Sequence, residues 1–171
     1  MLKKYKDHVE ERLQQGIPPL PLNAEQVADL VELLKSPPAG EEEFILDLIK
    51  NRTPAGVDPA AYVKAAFLTA LAKGETSSPL IDKKLATELL GTMLGGYNVE
   101  SLIKLLKDEE VGAIAADGLS KTLLMFNAKH EVIELAAENE NAKRVVESWS
   151  NGEWFTSKSK LPEVIKAIVF R

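Results

Sequence analysis

Cysteine is absent from the 171 residues of this chain. That removes disulfides, thiolate nucleophiles, cysteine zinc sites and a cysteine-held iron–sulfur cluster from what these residues build by themselves. Histidine is scarce, with only His8 and His130. A metal site joining both to a carboxylate such as Glu11 or Glu131 has no ligand spacing behind it. A Ser–His–acid triad would need one of the two, and no Gly-x-Ser-x-Gly elbow accompanies them. A long apolar run is missing too. The most apolar stretch, Ala65 to Ala72, is far short of the roughly 20 residues that span a bilayer. The basic start at Lys3, Lys4 and Lys6 is followed by polar residues 7–15 rather than an apolar core, so it does not read as a secretory leader. A cytoplasmic location is the expectation. A basic excess is also lacking. The net charge of −5 argues against a general phosphate-binding surface, because affinity for nucleic acid rests largely on lysine and arginine.

What is present is helical punctuation. Leu2, Tyr5, Val9 and Leu13 share one stripe, which Gly16 and the proline-rich run 17–22 bring to an end. Asn23 with Gln26 predicts a capping box, followed by Val27, Leu30, Val31 and Leu34. Glu41, Glu42 and Glu43 open a third helix, where carboxylates favour the positive pole of the dipole; Phe44, Ile45, Leu48 and Ile49 form its buried side. Asp58-Pro59 starts a fourth, with Tyr62, Val63, Ala66, Phe67, Ala70 and Leu71 as its stripe and Gly74 as its stop. A fifth is expected over Asp82–Leu94, a sixth after Asn98 as its cap, and a seventh over Glu109–Phe126. Two more fall near 129–138 and 141–150, and the β-branched tail Val164–Phe170 reads as a short strand. The segment from Val27 to Lys35, with Gly40, matches the segment from Val99 to Lys107, with Gly112, at an offset of 72 residues, twice 36. The fold expected is therefore all-α: a HEAT-like α-α superhelix of about nine short amphipathic helices, with a short C-terminal strand.

No motif here assembles a reactive centre. Gly91 to Asn98 has the look of a phosphate loop, but it lacks the Lys-Ser/Thr of a Walker motif and reads better as a helix stop, a turn and the next cap. Consecutive carboxylates at 41–43 point in different directions on a helix and do not converge. The cluster 149–155 holds both tryptophans; Trp149 is expected in the core, with Trp154 nearer an interface. The candidate interface residues are Trp154, Phe155 and Tyr97; no catalytic, cofactor or metal residue is assigned.

Several segments together carry a resemblance: Pro37 to Phe44, Gly56-Val-Asp-Pro-Ala-Ala-Tyr-Val-Lys-Ala65, Glu88-Leu-Leu-Gly-Thr-Met-Leu-Gly-Gly-Tyr-Asn98, Thr122 to Phe126, and Glu153-Trp-Phe155. In order and over essentially the whole chain, they resemble the N-terminal part of bacterial aconitase B. The resemblance implies a HEAT-like domain over 1–160, with 161–171 as linker and start of a swivelling domain. It implies a full-length lyase of the tricarboxylic acid cycle that interconverts citrate and isocitrate through cis-aconitate, also acts on 2-methylisocitrate, and carries a [4Fe–4S] cluster. The family's cluster ligands and substrate arginines lie beyond residue 171, so none is carried over. For this chain it implies a non-catalytic assembly domain. Its partners would be the remaining domains of the same enzyme, a second copy in a homodimer and, with less behind it, messenger RNA, but no membrane. The rival readings are a free-standing HEAT-like adaptor and an RNA-binding module using Lys3, Lys4, Lys6 and Arg12.

Overall fold

A computed structural model describes residues 1–122 and 128–152. Among them are nine helices: α1 Leu2–Gln14, α2 Ala24–Lys35, α3 Glu42–Asn51, α4 Pro59–Ala72, α5 Lys83–Gly91, α6 Val99–Leu105, α7 Gly112–Ser120, α8 Lys129–Leu135 and α9 Glu140–Ser150. The chain is all-α. From α2 onward neighbours in sequence pack as pairs, α2 with α3, α4 with α5, α6 with α7 and α8 with α9. Successive pairs join through α2 against α4, α5 against α7 and α7 against α9. The first helices of the pairs begin at 24, 59, 99 and 129. The two matching segments of sequence thus fall on the first helices of the first and third pairs.

Side-chain caps set four of the nine described helix starts. Asn23 Oδ1 accepts from the Gln26 amide and Gln26 Oε1 accepts from the Asn23 amide, both at 2.9 Å, completing the capping box. Asp58 caps α4 through the Ala60 amide at 2.8 Å, with Pro59 in the first turn, where its missing N–H goes unmissed. Asp82 and Asn139 cap α5 and α9 in the same manner. The Pro-rich connector straps α1 down: the Tyr5 hydroxyl donates to the Leu20 carbonyl (2.9 Å), and Leu22 is buried. Burial pushes the Tyr5 phenol above its usual range.

Other expectations need correction. The fifth helix stops at Gly91, not Leu94, and the seventh covers Gly112–Ser120 rather than starting at Glu109. Asp108 Oδ1 accepts from the Glu110 and Val111 amides, which holds 108–111 as a turn before α7 can begin. Residues 123–126 of the expected seventh helix, and the expected strand 164–170, lie outside the described residues. Tyr62, Ala66 and Leu13 are exposed, not buried. α4 is packed on two sides, by α2 and α5, so its buried face is Ala60, Ala61, Lys64, Ala65, Phe67, Leu68, Leu71 and Ala72 and no single stripe describes it. Leu13 lies in the last turn of α1, which packs mainly through Tyr5.

Where α5 crosses α7, Gly91 meets Gly118. A Cβ on Gly118 would stand 2.7 Å from the Gly91 Cα, which is backbone and has no rotamer to yield. Gly118→Ala is expected to cost about 2 kcal/mol, as overpacking does. In an open helix the same change would gain about 1 kcal/mol. A rise in the urea midpoint of the variant would show that the helices part without penalty.

Candidate docking surface

The segments around 56–65 and 88–98, far apart in sequence, are in contact. The Gly56 amide donates to the Met93 carbonyl (3.2 Å), and the Tyr97 hydroxyl reaches the Val57 carbonyl at 3.5 Å. Gly96, at φ +82°, is the residue that permits this approach, since a Cβ there would lie 2.9 Å from the Gly56 oxygen. Tyr97 packs edge-on against Tyr62, with ring centroids 5.1 Å apart. Leu94 takes φ +65°, uncommon for a residue with a branched side chain, and that side chain is exposed.

This edge of the stack presents Val57 (71% exposed), Tyr62 (58%), Leu94 (65%) and Tyr97 (40%) to solvent. Scattered surface apolar residues need no explanation, but Val57, Leu94 and Tyr97 on two touching loops, with Tyr62 of α4 edge-on to Tyr97, form a candidate docking patch. A groove of about 340 Å³ runs beside the tyrosines between α4 and α6, with Thr69 donating to Ser101 (2.8 Å) along it. Its carboxylates are matched. Lys104 hydrogen-bonds Glu100 and holds that carboxyl below its usual range, while Lys73 stands 3.7 Å from Glu75. The groove therefore offers apolar and aromatic contact with a balanced rim rather than an acid–base pair.

The other sequence candidates are dispersed. Tyr97 is on this edge; Trp154 and Phe155 lie outside the described residues. Trp149 is in the core, 4% exposed, its indole N–H donating to the Leu119 carbonyl at 3.0 Å. His8 is on α1, where its Nε2 accepts from the Leu20 amide (3.0 Å), so its lone pair is occupied by the fold; His130 is exposed on α8. Among the described residues no group of three His, Asp or Glu side chains is placed to hold a metal. Of the basic residues near the start, Lys6 is bound to both oxygens of Glu41 and lies over the Phe44 ring, and the Arg12 Nε donates to the Pro18 carbonyl. Asn98 is not the cap the sequence suggests. It is fully buried, its Nδ2 donates to the Leu90 carbonyl (2.7 Å), and its Oδ1 has no partner among the described residues. The side chain is pulled inward to hold the end of α5, which leaves α6 without a side-chain cap.

Sequence reasoning missed Val57, Tyr62 and Leu94 as surface, and it missed Lys64 altogether. Lys64 is 3% exposed. The signal was available: Lys64 sits at helical spacing from Ala60, Ala61, Leu68 and Leu71, an otherwise apolar face.

Stacked helix pairs with an exposed aromatic edge place the chain in the class of all-α domains. The model of the aconitate B N-terminal domain matches residues 4–155, and the chain belongs to that family. The aconitate hydratase B of Pseudomonas aeruginosa is 60% identical over 172 residues, those of Escherichia coli and Helicobacter pylori 56% and 45%. Each comparison covers 99–100% of this chain but 20% of the relative. The chain thus spans about a fifth of the length of these curated relatives. Among the described residues no helix is long and apolar enough to cross a membrane.

Proposed function

We propose that this chain is the docking and assembly domain of an aconitate hydratase B, working through a HEAT-like surface rather than through chemistry of its own. The full-length enzyme would interconvert citrate and isocitrate through cis-aconitate in the cytoplasm. The observation that carries the reading is the exposed edge formed by Val57, Tyr62, Leu94 and Tyr97 on a helical stack in which no group of three His, Asp or Glu side chains converges among the described residues. Aromatic side chains with few rotatable bonds are effective anchors, because little conformational entropy is lost when a partner covers them. The [4Fe–4S] cluster of such an enzyme needs thiolates, and this chain has none, so the cluster would be held by other segments. The occupant of the edge would be the remaining domains of the same polypeptide.

The test is to express residues 1–171 and the rest of an aconitate hydratase B separately and to measure their association. Tyr62→Ser with Tyr97→Ser is expected to weaken it at least about 100-fold, in the range of two truncated hot-spot residues. Association unchanged by the pair would move the interface elsewhere on the stack. Citrate turnover by the chain alone would overturn the reading.

A further inference from the structure

Costs of different kinds meet in the loop between α5 and α6. Leu94 holds φ +65°, followed by Gly95 at +118° and Gly96 at +82°. The glycines adopt such angles freely, whereas the Cβ of a leucine crowds the backbone there. The Leu94 side chain is exposed, so burial does not offset that strain. Asn98 is fully buried, its Oδ1 lacks a partner among the described residues, and α6 lacks a side-chain cap. The bond that draws Asn98 inward is not the sole support of its acceptor, because the Leu90 carbonyl also takes the Met93 amide at 3.2 Å.

Elsewhere in the same chain, residues of this kind in front of a helix behave differently. Asn23, Asp82 and Asn139 have extended backbone, with ψ of 175°, 176° and 116°, and each accepts from the amide three residues on. Asn98 has ψ −22°. Turning that angle to the extended range would carry Oδ1 toward the Ser101 amide, filling the empty acceptor and capping α6. The same rotation redirects residues 94–97 and lets Leu94 leave the left-handed region. It would also part Tyr97 from the Tyr62 ring and from the Val57 carbonyl, the contacts that hold the exposed patch together.

We propose that residues 94–98 form a two-position switch that assembles and dismantles the patch of Val57, Tyr62, Leu94 and Tyr97. In the position described, Asn98 is turned in, Leu94 is strained and the patch is assembled. In the other, Asn98 caps α6, Leu94 is relaxed and Tyr97 has left Tyr62. A partner that covers the assembled patch selects the first position, so its apparent affinity follows the fraction of chains that hold it. The switch goes beyond the assembly reading, and its test needs no partner, so either can fail without the other.

Relaxation-dispersion NMR of the 171-residue chain tests this, since it detects minor states that exchange in microseconds to milliseconds. The amides of residues 94–101 are expected to share one exchange process. Leu94→Asn, which tolerates the left-handed region, is expected to lower the population of the second position about threefold. Asn98→Asp cannot donate to the Leu90 carbonyl and makes a strong cap whose charge suits a helix start. It is expected to raise that population at least about tenfold and to slow hydrogen exchange of the Ser101 amide. Circular dichroism shows that the variants remain folded; should Asn98→Asp not fold, the uncharged cap of Asn98→Ser serves for the same shift. A loop with no exchange in the parent and in both variants would overturn the switch. So would two substitutions that move the population in the same direction. A long-lived water detected beside the Asn98 side chain in a rigid loop would fill the empty acceptor and overturn it as well.

Discussion

Trp149→Ala is expected to lower the folding stability of the chain by about 4 kcal/mol, the range for removing a buried tryptophan. Trp149 is on α9 and reaches across to α7, where its N–H bonds the Leu119 carbonyl. That carbonyl is among the last four of α7 and also accepts from the Thr122 amide at 3.0 Å, so the indole adds a second bond at the helix end. The ring also fills the space where α9 packs on α7, together with Val145 and Ala142, both fully buried. Trp149→Phe separates the two contributions. It keeps most of the packing and loses the hydrogen bond, and is expected to cost about 1 kcal/mol beyond the smaller ring. Urea unfolding followed by helical circular dichroism measures both. A loss below about 1 kcal/mol for the alanine variant would mean that α8 and α9 add little to the cooperative unit.

Lys64→Met is expected to stabilise the isolated chain at pH 7, with a gain that disappears in alkali. The amine of Lys64 titrates near 8 when folded, against 10.5 ordinarily. Between those values the unfolded chain holds a proton that the folded chain has released, so stability of the parent rises with pH across that window. Below about 8 both states are charged and the whole cost of burying the cation is present. At about 1.4 kcal/mol per unit the ceiling is about 3 kcal/mol. Methionine fills nearly the same volume without the charge. The difference in unfolding free energy between variant and parent should therefore be near its maximum at pH 7 and close to zero by pH 10.5. A difference independent of pH would show that the ammonium escapes to water in the folded state.

Much of the architecture was legible because it depends on neighbours in the chain. Asn23 with Gln26 and Asp58 with Pro59 announce helix starts through contacts of two or three residues, and both form as read. Gly74, at φ +73°, ends α4 for the same local reason. Trp149 was legible as core, since it stands on a strongly amphipathic segment. Reading failed where a residue answers to two neighbours at once. Tyr62 follows a plausible stripe, but α2 and α5 together claim other faces of α4 and leave it outside. Asn98 has the identity and position of a cap, yet the Leu90 carbonyl draws it inward.

Sequence by itself determined that this chain is helical, where most of its helices begin, and that no thiolate chemistry takes place on it. Those properties follow from residue identity and from contacts within a turn. Only the tertiary structure decided that Gly91 and Gly118 are a crossing point, that Val57, Tyr62, Leu94 and Tyr97 share one exposed edge, and that Lys64 is buried with no ion pair among the described residues. The physical reason is that these depend on which helix faces meet across 27 to 40 residues of chain, and burial is a property of the packed pair rather than of either sequence.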